Sequence, residues 1–164
     1  MIFERLARND FRDLSRDEDW LVNLSLLSEI CAYLDDRPRA RMLHAELSPF
    51  AEQNAVASGE ICAGSVAQHV GRLAAQLELH DEAAEHFEAA LDMNVRMGAR
   101  PWIAHTQTDY AEMLLGRSAR GDRNRAELLL AEAKRTYEEL GMPRGLARAD
   151  ELSAGGVGGA ATPR

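Results

Sequence analysis

Residues Asp81–Gly98, DEAAEHFEAALDMNVRMG, decide how the chain is read. Asp81 is placed to accept the open backbone N–H groups of a first helical turn, and Glu82 follows at the positive end of the dipole. Ala83, Phe87, Ala90, Leu91, Asn94 and Val95 recur in steps of three and four, while Glu82, Glu85, Glu88 and Asp92 fall mostly elsewhere. That spacing predicts an amphipathic helix with Phe87 as its buried anchor. Gly98 is the expected left-handed C-terminal cap, and Pro101 suits the first turn of a following helix at Pro101–Trp102.

The pattern recurs on both sides at one step. Ala40, Ala83 and Ala126 stand 43 residues apart, as do His44, Phe87 and Leu130, and Leu47, Ala90 and Ala133. In each preceding segment a small residue, Ser28, Gly71 or Ala111, lies 12, 12 and 15 residues before the Ala of its partner. The three additional residues fall in the polar loop Gly116–Gly121, where insertions are tolerated. Small side chains at both positions let two helices touch backbone to backbone, with larger neighbours filling the space beside the contact.

The remaining elements follow from the same signals. Met1–Arg8 reads as the end of a helix, Trp20–Leu34 as a long apolar-patterned helix, and Asp35–Pro38 as a turn. Arg39–Asn54 is expected to be helical with Pro49 kinking or ending it near Ser48. Ser58-Gly59 is expected to open a helix running to about Leu79. Pro101–Arg117 and Asp122–Leu140 form a third pair, stopped by Gly141-Met142-Pro143. A stub at Arg144–Leu152 passes into the Gly-rich tail 153–164, whose composition predicts disorder. No strand-like alternation is evident.

Apolar residues make up 46% of the 164 residues and aromatics only 5%, which favours helices packed through small side chains. A net charge of −8 disfavours a nucleic-acid or anionic-membrane partner, since phosphate binding relies on a surplus of Lys and Arg. Arg117–Arg148 is locally basic, but its charges alternate in sign as on a solvated helix face. There is no apolar run of transmembrane length, and Met1–Asp10 has charges where a signal peptide needs its apolar core, so a cytosolic protein is expected. Cys31 and Cys62 are expected on helices as buried reduced thiols.

Motifs that would carry chemistry fall short. Gly116-x4-Gly121 has Asp122 and Arg123 where a phosphate loop needs Lys and Ser or Thr, and a helix precedes it. Gly155–Gly159 lacks the strand and helix of a dinucleotide fingerprint. Among His44, His69, His80, His86 and His105, no two stand at i, i+4 with an adjacent acid, and Met93, Met97 and Met113 read as gap-filling core. No catalytic, cofactor or metal residues are assigned, and enzyme activity is not expected.

Three first helices read Leu24-x2-Leu27-Ser28-x2-Cys31, Ala67-x2-Val70-Gly71-x2-Ala74 and Gln107-x2-Tyr110-Ala111-x2-Leu114. These resemble the tetratricopeptide pattern W-x2-L-G-x2-Y, with its A-x3-F half at Ala83-x3-Phe87. The chain departs from that family in its 43-residue step and in lacking the large Trp and Tyr. A HEAT-like array, with a closer period, is the other fold this spacing allows. The expected fold is all-α, a right-handed α-α superhelix of about three tetratricopeptide-like hairpins spanning 1–152. In such hairpins the first helices line the concave face, which makes Glu29, Tyr33, Gln68, Arg72, His105, Thr108 and Glu112 the candidate partner-binding residues.

The runs DWLVNLSLLSEICAYL, GSVAQHVGRLAAQL, HFEAALDMNVRMGARPWIAHTQTDYAEMLL and RAELLLAEAKRTYEELGM together resemble the distal tetratricopeptide region of large actinobacterial signal-transduction ATPases. Members of that family join an NTPase module and a nucleotide cyclase or LuxR-type DNA-binding domain to helical arrays. The resemblance implies a non-enzymatic protein-interaction or regulatory module that binds a protein, a peptide or the other domains of a larger regulator. The alternative it leaves open is a small-molecule effector-sensing domain of a transcriptional or cyclase regulator. Apolar faces expected at Phe3–Phe11 and Leu140–Leu152 suggest self-association through the ends.

Overall fold

The structure, a computed structural model, describes residues 2–7, 9, 11, 13–58 and 61–157. Helices dominate it. They are α1 (Ile2–Leu6), α2 (Trp20–Tyr33), α3 (Arg37–Leu47), α4 (Val66–Gln76), α5 (His80–Arg96), α6 (Arg100–Arg117), α7 (Asp122–Glu139) and α8 (Pro143–Val157). One antiparallel pair, β1 (Asn54–Ala57) and β2 (Ile61–Ser65), stands between α3 and α4. The chain forms two compact units, Met1–Met93 and Asn94–Arg164. Their boundary falls inside α5.

In the first unit α2, α3 and α4 pack on one another. The α2–α3 turn is set locally: Asp35 takes the left-handed conformation, and Asp36 Oδ1 accepts the Arg39 backbone N–H at 3.2 Å. Pro49 ends α3 as expected, and the chain continues as a 3-10 turn over Ser48–Phe50. The repeat positions are core. Ala40, Leu47, Ala83, Phe87 and Ala90 are fully enclosed, as are Leu24, Val70 and Ala74 or nearly so.

Residues 58–65 correct the expected helix from Ser58-Gly59 to Leu79. Ser58 is instead a turn residue after β1, Ile61–Ser65 form β2, Gly59 and Glu60 lie outside the described residues, and the helix starts only at Val66. Gly64 holds φ at 84°, which a helix does not accept, and Ala55 and Ala63 are buried on the hairpin's inner side. Burial of these small residues against the helices outweighs the local helix preference. A Ser-Gly pair between short apolar runs was the available signal for such a turn. The strand correction also moves Cys62, which is exposed on β2 rather than buried on a helix.

Other local corrections follow from packing. α5 begins at His80, ahead of the expected cap at Asp81, and Val95 and Met97 are exposed rather than core. Among the described residues of the expected N-terminal apolar face, Phe3, Ala7 and Phe11 are buried, the two rings stand 6.0 Å apart, and Glu4 pairs with Arg39 of α3 at 2.8 Å.

In the second unit α6 packs along α7, and α8 closes on both. Ala111, Ala126, Leu130 and Ala133 occupy the expected core register. Gly141 takes φ 64° as the stop after α7 requires. α8 runs to Val157, five residues into the segment assigned to the tail, whose residues 158–164 lie outside the described ones.

Candidate functional site

The candidate concave residues separate into two groups, one in each unit. In the first, Glu29 on α2 faces Arg72 on α4 at 3.8 Å, and Gln68 is buried. Tyr33, at the end of α2, is 89% exposed. In the second, Thr108 is buried and His105 half-buried. Tyr137 OH lies 3.1 Å from Thr108 Oγ1 and 3.0 Å from His105 Nδ1. Thr108 Oγ1 donates to the Ala104 carbonyl at 2.8 Å, so a consistent chain runs from His105 N–H through the phenol to Thr108. Burial pushes the Tyr137 phenol above its ordinary value, with Asp109 adding to the shift and the Thr108 hydrogen bond opposing it. Glu112 accepts from Arg148 of α8 at 2.5 Å. Gln68, Thr108 and His105 are thus part of the packing between helices, whereas Glu29, Tyr33 and Glu112 reach solvent.

Arg148 also meets Asp109 at 2.7 Å, a carboxylate whose side chain is only 2% exposed. Burial opposes the guanidinium charge, but Asp109 and Glu112 outweigh it and raise the Arg148 pKa above its usual value. The first unit has the same kind of link in looser form. In both, an acid, Glu29 of α2 or Glu112 of α6, faces an arginine two helices further on, Arg72 of α4 or Arg148 of α8.

A second feature of α2 went unread in the sequence. Leu26, Ile30, Tyr33 and Leu34 stand at i, i+4, i+7 and i+8, and they are 49, 42, 89 and 44% exposed. The opposite face, with Leu24, Leu27 and Cys31, is core. α2 is therefore apolar on both sides, and among the described residues only one side is covered. The signal was present: Leu21, Val22, Leu24, Leu26, Leu27 and Ile30 go all round the helix, which marks a helix needing cover on every side.

Among the described residues no group of three or more His, Cys, Asp or Glu is arranged to hold a metal ion, and no helix is long and apolar enough to cross a membrane. No protein-family model matches the chain, and no curated protein or solved structure does so.

Proposed function

We propose that this chain is a non-enzymatic, cytosolic interaction module, a tetratricopeptide-like array serving a larger signal-transduction regulator. The array reading, a right-handed superhelix of about three hairpins, is supported by the small residues buried at one register in both helices of each hairpin. It is supported also by the Glu–Arg links between successive first helices. The tie to actinobacterial signal-transduction ATPases rests on the sequence phrases that resemble them.

The observation that carries the interaction reading is the solvent-facing stripe Leu26–Ile30–Tyr33–Leu34. Exposed apolar side chains grouped on one helix face mark contact sites. Replacing Tyr33 by the photo-crosslinker p-benzoylphenylalanine tests it. Irradiation in native lysate is expected to give a discrete protein adduct that Ile30→Ser abolishes. A chain that yields no adduct refutes the reading.

A further inference from the structure

The exposed stripe of α2 lies between two acidic ends. Asp17, Glu18 and Asp19 precede the helix, Asp35 and Asp36 follow it, and Glu29 stands on its flank, while residues 17–36 contain no Lys, Arg or His. Among the described residues, three arginines of the neighbouring segments are engaged by acids of their own. Arg16 pairs with Glu46 at 2.9 Å, Arg37 with Glu78 at 2.5 Å and Arg72 with Glu29 at 3.8 Å. Asp36 is held by Arg39. At the helical rise the two acidic ends stand about 24 Å apart, with four apolar side chains between them.

We propose that α2 docks a cationic amphipathic helix of a partner protein. Leu26, Ile30 and Leu34 take apolar side chains spaced by three and four, and Tyr33, the most exposed of the four, supplies a large ring at the C-terminal end of the stripe. Lys or Arg at both ends of the incoming helix then meets Asp17–Asp19 and Asp35. A second copy of α2 is the wrong occupant, because parallel and antiparallel packing both set acid against acid. Phosphate-bearing surfaces meet the same repulsion.

This inference rests on the interaction reading and names the partner's chemistry. The test uses the full chain and two synthetic helical peptides of about 18 residues with the same leucine stripe, one with Lys and one with Glu at both ends. Fluorescence anisotropy is expected to show the Lys peptide binding at least about tenfold tighter, with affinity falling as salt rises. Ile30→Ser should abolish binding. Asp17→Asn/Glu18→Gln/Asp35→Asn should weaken it about tenfold with the circular dichroism unchanged.

Equal affinity for both peptides, with Ile30→Ser still abolishing it, overturns the charge assignment and leaves α2 as a contact face. Binding that survives Ile30→Ser overturns the site, and failure of both peptides overturns the proposal. So does a mass that doubles with concentration and reverts in Ile30→Ser, since a second copy then covers the stripe. The Tyr33 crosslink judges the interaction reading separately from each of these outcomes.

Discussion

A Cβ added at Gly71 would stand 3.1 Å from the Phe87 ring and 3.3 Å from the Ala83 carbonyl oxygen. Gly71 is therefore where α4 and α5 come into backbone contact, with Phe87 closing the space beside it. Two effects compete in Gly71→Ala. Helix preference favours Ala by about 0.5–1 kcal/mol, whereas overpacking a filled site costs about 1–3 kcal/mol. Phe87 is fully buried and Ala83 presents backbone, so overpacking is expected to win, with a net loss of about 1 kcal/mol by urea denaturation. Phe87→Ala is expected to cost about 3–5 kcal/mol. In a Phe87→Leu background Gly71→Ala should cost less, because the two changes share one space. An unmoved midpoint in Gly71→Ala would show that the helices do not approach this closely.

Arg148 ties α8 to α6 through two carboxylates of different burial. Asp109 is 2% exposed and Glu112 is 54% exposed, so their contributions should differ widely. Arg148→Ala removes an ion partner of a carboxylate inside the fold and is expected to destabilise by about 3 kcal/mol. Glu112→Ala removes a surface pair and should cost under about 1 kcal/mol. Hydrogen exchange checks the assignment: in Arg148→Ala the α8 amides should lose protection before those of α7. Equal effects of the two substitutions would mean that burial of Asp109 does not govern the link.

The two thiols should react at very different rates. Cys31 is fully buried and its Sγ lies 3.1 Å from the Asp36 carbonyl oxygen, and burial, with Asp36 adding to it, pushes the thiol up to about 11. Cys62 is exposed on β2. At about pH 8 a disulfide reagent is expected to titrate one thiol of the native chain quickly, and Cys62→Ser should remove that phase. Cys31 should react only on adding denaturant. A fast phase remaining in Cys62→Ser would place Cys31 within reach of solvent.

His86 makes stability sensitive to mild acid. Burial is the largest influence on it and holds its pKa below the ordinary value, with His44 acting in the same direction and Glu82 and Glu85 opposing. His44 Nε2 lies 3.0 Å and His86 Nε2 3.7 Å from the same Glu82 oxygen. With the folded value depressed, the unfolded chain binds the proton more readily. The contribution of neutral His86 is therefore complete above about pH 6.5 and is lost as the pH falls below it through the folded value. The denaturation midpoint of the wild type should drop more between about pH 7.5 and about pH 5.5 than that of His86→Gln. Identical drops would remove His86 from the account.

Much of the helical framework is written in local signals. Small residues at Ala40, Ala83 and Ala126 set one register that proves to be core, and Pro49, Gly98 and Gly141 end or turn the chain where their backbone preferences require. These features depend on neighbours a few residues away, which a sequence displays directly. The β1–β2 hairpin was not legible in the same way. Its residues are mostly small and of weak preference, and its strands exist because Ala55 and Ala63 find buried places against helices distant along the chain.

The candidate contact face divides along the same line. Periodicity marks α2 as apolar, and charge counting marks its ends as acidic, from the residues alone. Which apolar side chains would be covered depends on how many neighbours the fold supplies. α3, α4 and β1 cover Leu24, Leu27 and Cys31, while Leu26, Ile30, Tyr33 and Leu34 remain in water. The type and register of the helices thus follow from local chemistry, whereas the exposed stripe is a consequence of packing, because burial is a property of neighbours and not of a residue.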